Sequence, residues 1–558
     1  MKKHLLITAA LSVFSALAIA GCAGQQTAPA AASAAVNETA QETPAAAAGT
    51  ETSNAADTNA ETAAGADANA DTAAAAQDQN GSSGNAGQEA FAAETSSALK
   101  EERDVSGNIT MSAELGEDGT MSVSYDALDL EPEYDTSAAL DIRFDGDRIT
   151  AEPTDIPIVS IEGSVVKLQA GGIYRLSGKL DGGQVLLEGG KKDRTLLVLD
   201  GVNITGTDSP AIYAPDGCRV LIRLEDGSFN VVRDGGKYTY TNDDGDEPDA
   251  VVFSKGDLSF NGAGRLKIIG NYGSGIHSKG VLTFLSGGYQ INADKNAVKG
   301  KDAVLIRGGD FHLYTGNDAI KSTNKKDENA GNIWIENGTL DVNSGDKGIT
   351  AYNRLVIAGG SVRVNAVAEA LEGKTVDVLG GRLDLKAGDD GINASKDYDT
   401  YAEKKNYQEG VYIRFAGGET TVDAVADGID SNGNLYLDGG ALYVTGPSDD
   451  LNAILDYSGS AALSGGCVLG AGSSGMLQDL GAEPEQNYLI VHFDSVKAGG
   501  TKLCLLDAAG AELLSFTPAR DYAAAILTVP ELKAGETCTV TAGDESIELQ
   551  VLEGQTVR

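Results

Sequence analysis

The feature that most constrains this chain is a phrase that returns with small changes. Asn317-Asp318-Ala319-Ile320-Lys321-Ser322 recurs as Asp346-Lys347-Gly348-Ile349-Thr350-Ala351, as Ala368-Glu369-Ala370-Leu371-Glu372-Gly373 and as Asp389-Asp390-Gly391-Ile392-Asn393-Ala394. A shorter copy reads Asp427-Gly428-Ile429-Asp430-Ser431. Most copies are followed by a β-rich phrase with a central Gly-Gly, such as Leu355-Val356-Ile357-Ala358-Gly359-Gly360-Ser361-Val362-Arg363-Val364. Aligning one anchor aliphatic per copy gives Val252, Ile276, Val298, Ile320, Ile349, Leu371, Ile392, Ile429 and Ile454, most of them about 22 residues apart. A fixed period of this length is the signature of a solenoid.

Two or three short strands per copy fit one coil of an all-β, right-handed parallel β-helix. The regular leucines of leucine-rich repeats and the Gly-Gly-x-Gly-x-Asp nonapeptides of a calcium β-roll are both absent. Each coil alone exposes an apolar interior, and stacking buries it. The anchors then form one internal ladder. Val281, Val304, Ile333, Leu355, Val376, Val411 and Leu435 form a second. Ser209-Pro210-Ala211-Ile212-Tyr213 reads as an early, degenerate copy. Three insertions (234–249, 323–331 and 396–408) interrupt the period, and such loops emerge at a corner of the coil, often on a binding face. The β-helix is expected over 138–475. Residues 476–558 lose the repeat and read as a small C-terminal antiparallel β domain that covers the open end of the solenoid.

The first 21 residues have the pattern of an export signal, with Lys2 and Lys3 before an apolar run too short to span a bilayer comfortably. The run ends in Ile19-Ala20-Gly21-Cys22, which resembles a bacterial lipobox; that resemblance implies lipidation of Cys22 and a membrane-anchored lipoprotein on the cell surface. Residues 22–137 follow as anchor and stalk. Up to about residue 100 they are almost wholly Ala, Thr, Asn, Gln, Ser, Asp and Glu, a composition that buries too little apolar surface to offset its ordering entropy. The remaining cysteines, Cys218, Cys467, Cys504 and Cys538, show no CxxC spacing; export permits disulfides, and Cys504 with Cys538 is the pairing to test. The formal net charge of the 558 residues is -40, which disfavours nucleic acid as a partner and leaves the lipid anchor as the only membrane contact.

Stacking places equivalent turns one strand spacing apart, about 4.8 Å. Two positions before the anchor stand Asn296, Asp318, Lys347, Glu369, Asp390 and Asp427; three before it stand Asn317, Asp346 and Asp389; one after it stand Glu372, Asn393 and Asp430. Two carboxylates at that spacing repel by about 3–4 kcal/mol at an effective dielectric near 20. Lys299, Lys321 and Lys347 offset part of this. A hard cation would offset more, and Ca2+ accepts six to eight oxygens from carboxylates, Asn carbonyls and backbone. The candidate metal ligands are therefore Asn317, Asp318, Asp346, Glu369, Glu372, Asp389, Asp390, Asn393, Asp427 and Asp430. Turn formation alone is the competing explanation for each single copy.

Asp249-Ala250-Val251-Val252-Phe253-Ser254-Lys255-Gly256-Asp257-Leu258, Gly275-Ile276-His277-Ser278-Lys279-Gly280 and Asp389-Asp390-Gly391-Ile392-Asn393-Ala394 resemble a bacterial family of surface carbohydrate-binding β-helix proteins. Gly171-Gly172-Ile173-Tyr174-Arg175-Leu176-Ser177-Gly178 resembles its leading segment, and the likeness spans about 138–545. The resemblance implies a pectate-lyase-like fold, calcium between coils, and binding of cellulose and of acidic polymers such as polygalacturonate. Asp389 and Asp390 match its acidic pattern best, while Lys347 and Ala368 depart from it. Tyr398, Tyr401 and Tyr407 in an insertion are candidate sugar-stacking residues, with Tyr412 and Trp334 beside them. A non-catalytic, calcium-dependent polysaccharide binder follows. The alternatives are a lyase acting on uronate polymers, for which Arg354, Arg363, Arg382 and Arg414 are the available bases, and a surface adhesin. No convergent acid–base set is visible, so the sequence leans away from an enzyme.

Overall fold

The 22-residue period is one coil of three short strands. A representative coil runs through Val298–Gly300, Ala303–Ile306 and Asp310–Thr315, which lie on faces A, B and C of the solenoid. Each strand pairs in parallel with its counterpart one coil on: Val298 with Ile320, Val304 with Ile333, Leu313 with Val342. The computed structural model describes residues 99–100, 112–115, 121–123, 125–127, 129–131, 133–154, 156–239, 247–396 and 407–558, all within one compact unit. Cys22, Tyr398, Tyr401 and the signal segment lie outside the described residues.

Face A is a 13-stranded sheet. Its inward ladder runs Val166, Val185, Ile212, Val252, Ile276, Val298, Ile320, Ile349, Leu371, Ile392, Ile429, Leu455. None of these side chains is more than 2% exposed, and they join one continuous core with the inward residues of faces B and C. Full burial of each such aliphatic is worth about 1.5–3 kcal/mol, so the ladder is a main source of stability. The Gly-Gly phrase turns the chain from face B to face C. Gly381 has φ 89°, and a Cβ there would lie 2.8 Å from the carbonyl oxygen of Gly360 one coil earlier. The stacked turns are too close for a side chain.

Three anchors differ from the expected ladders. Ile429 pairs with Leu455 rather than Ile454. Both residues of that dipeptide are buried, so hydrophobicity alone does not fix the register; Ile454 fills the space left by Gly470, where a Cβ would meet its Cγ2 at 2.4 Å. On face B the ladder uses Leu282 and Ile413, not Val281 and Val411. A one-residue shift turns a strand side chain to the opposite face, and Val281 points outward.

What Val281 meets outside is a second finding. Val281, Ala303, Leu305, Trp334 and Val356 form an apolar patch on the outer side of face B, packed against Val123 and Tyr125. Tyr125 donates to Glu336 (2.7 Å) and lies over Arg307. Asp129 accepts from Arg219 and Ser259, and Tyr134 sits beside Arg223. The described residues between 123 and 135, expected as part of the stalk, thus form a strap across the coils. Trp334, considered for sugar stacking, is 5% exposed beneath it.

Antiparallel strands close both ends. Val159–Glu162 pairs with Val165–Leu168, and Ala139–Gly146 with Arg148–Glu152, at the first coil. At the last coil, Cys467–Gly472 pairs antiparallel with Tyr522–Thr528. A four-stranded antiparallel sheet packs beyond it around Leu503, Leu505, Leu514 and Val540. Cys504 and Cys538 both lie there as buried free thiols, unpaired with each other. The chain leaves the coils for its insertions at two corners rather than one: between faces A and B after Ile320–Ser322 and Ile392–Ala394, and between C and A after Phe229–Arg233.

Candidate metal centre

The turn from face C to face A carries the acidic columns, because the residues before each anchor must reverse the chain and Asp, Asn and Gly do so readily. Outward positions on face A add a further column, one after the anchor: His277, Lys299, Lys321, Thr350, Glu372, Asn393, Asp430, Asp456. Its charge changes sign along the solenoid, basic in the earlier coils and acidic in the later ones.

In the earlier coils lysine closes the columns. Lys321 lies 2.6 Å from Asp318. Lys347, at the position an acid holds in other copies, sits 2.6 Å from Glu372 and 3.4 Å from Glu369. Asn317, Asp346 and Asp389 are exposed at the outer edge of their turns.

The later coils lack such a counter-charge. Asp390, Asp427 and Asp430 bring one carboxylate oxygen each within 4.8 Å of one another, and among the described residues no lysine or arginine pairs with any of them. Burial comes first in raising all three pKa values. The neighbouring acids add to it: Asp427 and Asp389 for Asp390, Asp390 and Asp427 for Asp430, and Asp456 for Asp427. Asp390 is pushed up to about 7, Asp427 to about 6 and Asp430 to about 8. Backbone amides hold two of the side chains in place: Asp427 N donates to Asp390 (3.0 Å) and Ala453 N to Asp427.

Asn393 completes the group. Its Nδ2 lies 3.3 Å from Asp390 and 3.5 Å from Asp430, while its Oδ1 is buried without a hydrogen-bond partner. Oxygen and nitrogen of an amide are assigned from their surroundings rather than distinguished by shape. Turned over, the amide would present a fourth oxygen between the same two aspartates. Four oxygens from two adjacent coils suit a hard cation such as Ca2+, which fills its remaining positions from backbone, water or ligand.

The four arginines considered for lyase chemistry are each engaged one coil on: Arg354 with Asp377 (2.8 Å), Arg363 with Asp384 (3.5 Å), Arg382 with Glu419 (3.0 Å) and Arg414 with Asp438 (2.6 Å). Arg354 also meets Tyr412, which packs edge-on to Tyr436 at 5.7 Å. Tyr407 is 51% exposed.

A capped parallel β-helix with a cluster of buried and half-buried acids at one corner is the class these features define. A family model described as carbohydrate-binding domain-containing protein matches residues 162–366 and 352–473, more than half of the chain. The chain belongs to this family. A carbohydrate-binding domain-containing protein of Acetivibrio thermocellus is 33% identical over 224 residues, which span 40% of this chain and 78% of that protein. A solved structure of a polysaccharide lyase-like protein from C. thermocellum, a gadolinium derivative, shares 29% identity over 46% of this chain and 97% of its own, with a TM-score of 0.39.

Proposed function

We propose that this chain is a non-catalytic, calcium-dependent polysaccharide-binding protein, anchored at the cell surface through lipidated Cys22. The observation that carries the calcium reading is the group of Asp390, Asp427 and Asp430, close together, Asp390 buried and the other two half-buried, without a basic partner among the described residues. Buried like charges at that separation require either protonation or a cation. The polysaccharide reading rests on the family, and the resemblance of the repeat motifs narrows the ligand to cellulose or an acidic polymer such as polygalacturonate. A cation shared between protein carboxylates and ligand uronates would reconcile an acidic protein with an acidic polymer.

The test is sedimentation of the protein with insoluble cellulose and with polygalacturonate, in calcium and in chelator. Chelator-sensitive co-sedimentation supports the reading; equal binding in both removes calcium from it. Ultraviolet-absorbing unsaturated uronides released from polygalacturonate would make the protein a lyase instead. For the anchor, the wild-type chain should incorporate labelled fatty acid and Cys22→Ala should not.

A further inference from the structure

We propose that the corner between faces A and B holds a lysine-lined pocket for the anionic substituent of a charged polysaccharide, a carboxylate or a sulfate ester, bound without any cation. The inference rests on the polysaccharide-binding reading above but uses a different site. Its residues come from four successive A-to-B turns: Lys325 and Lys326 from the insertion 323–331, Tyr352, Lys374, and Lys396. They surround a cavity of about 290 Å³, at the small end of ligand pockets.

Four ammonium groups around one cavity are out of keeping with a chain of net charge -40. Elsewhere on face A the lysines are committed: Lys279 to Glu247, Lys299 to Asp249, Lys321 to Asp318, Lys347 to Glu369 and Glu372. Among the described residues no carboxylate lies within 4 Å of the ammonium of Lys326, Lys374 or Lys396. Lys396 donates to the carbonyl of Glu409. Lys326, Lys374 and Lys396 alone outnumber the two acids that line the cavity, Asp327 and Glu328, and Asp327 accepts the Asn329 amide at 3.0 Å. Partial burial, and then the neighbouring Lys374, depress the pKa of Lys396. An anion would relieve that repulsion.

The pocket is held in shape before any ligand arrives. Asn324 accepts the amides of Lys326 (2.9 Å) and Asp327 (3.2 Å) and donates to Asp302 (2.6 Å). Asn353 donates from the next coil to the carbonyls of Asp327 and Ala330. Such bracing lowers the ordering cost of binding. Tyr352 provides a half-buried ring, with Lys325 5.5 Å from its centroid, and a ring beside cations suits a sugar that carries a charge. The acidic cluster lies at the other end of the same short face A strands, three residues long in Ile392–Ala394, a span of roughly 10 Å. One charged polymer chain can therefore meet both sites.

The experiment is calorimetric titration of the full chain, in chelator, with a trisaccharide of uronic acid, a sulfated oligosaccharide of similar length and a neutral cello-oligosaccharide. The uronate or the sulfated ligand should bind, and the tighter of the two identifies the natural substituent. Lys374→Ala combined with Lys396→Ala should weaken that binding by roughly tenfold or more and leave the neutral ligand unchanged. Arginine at both positions should restore most of it. Salt at about 1 M, where the screening length is about 3 Å, should weaken it as well. Unchanged affinity in the double alanine variant, or no preference for charged over neutral ligand in chelator, overturns the proposal. Charged ligand that binds only after calcium is restored, and equally in the lysine variant, overturns it too while leaving the calcium reading intact.

Discussion

A column of stacked carboxylates persists only where each charge is cancelled, and single residues decide how this chain does it. Lys321 and Lys347 serve as built-in counter-ions in the middle coils; Asp390, Asp427 and Asp430 have none among the described residues. The three raised pKa values fix the sign of a pH effect. An acid whose folded pKa exceeds its unfolded value of about 3.9 stabilises the fold at low pH and loses that contribution as pH rises through the folded value. Metal-free protein should therefore lose stability between about pH 4 and about pH 8, the upper limit set by Asp430. Thermal melts in chelator across that range should show a falling midpoint, and saturating calcium should flatten or reverse the trend. Asp430→Asn should raise the midpoint of the metal-free protein at pH 8 and remove most of its response to calcium; an undiminished response would exclude Asp430 as a ligand. Lys347→Ala tests the other solution. It leaves Glu369 and Glu372 facing each other and should cost about 3 kcal/mol, the usual penalty for deleting one partner of a largely buried pair. Denaturant melts in calcium should show part of that loss recovered, since the vacated space becomes a cation site. The repeat showed which positions stack, so the columns were legible. The lysines that offset them, Lys299, Lys321 and Lys347, were legible too; which acids each one reaches was not, because Lys347 occupies an acid's position and pairs with residues of the next coil.

The elements were legible to the extent that they are periodic. An anchor every 22 residues or so identified the face A ladder, and it pairs as aligned from Val252 to Ile429. The face A ladder slipped at Ile454-Leu455 and the face B ladder at Val281-Leu282, where two aliphatics adjoin, since either residue satisfies a hydrophobic pattern and only the stacked neighbour decides. The strap was invisible for a different reason. Tyr125, Asp126, Asp129 and Tyr134 repeat nothing, and their partners are recognisable only once Leu305, Trp334 and Val356 are known to point outward. Trp334 is the single tryptophan of the chain, so it reports on this contact directly. Tyr125→Ala removes the ring over the patch together with the hydrogen bond to Glu336. Its fluorescence should shift to the red and become several-fold more accessible to acrylamide, with the far-ultraviolet circular dichroism of the β-helix unchanged. Emission identical to the parent would mean that the strap does not shield this residue in solution.

For the whole molecule the decisive quantity is the number of unpaired strand edges. A stack of parallel coils pairs every strand except those at its two ends, and each end offers a ready template for a second copy. Here each end carries a change from parallel to antiparallel pairing, although among the described residues Leu455–Tyr457 on face A and Ala461–Leu463 on face B pair only with the coil before them. At the C-terminal end Tyr522–Thr528 takes the edge of Cys467–Gly472 in five register pairs, Val468 with Thr528 through Gly472 with Ala524. Behind that strand lies a separate apolar core built from Leu469, Leu489, Leu503, Leu527 and Val540. The C-terminal domain therefore does two things at once: it pairs the last edge of face C and covers the apolar residues behind it. Because each coil contacts mainly its neighbours, removing an end does not unfold the middle. A chain stopped at Leu480 should accordingly keep its β-sheet circular dichroism while exposing the 467–472 edge. It should self-associate, and light scattering coupled to size exclusion should show a mass that grows with concentration where the full chain's does not. A truncated chain with the same concentration-independent behaviour would show that the last coil protects its own edge. A truncated chain that unfolds outright would show that stability is cooperative across the whole solenoid rather than additive coil by coil.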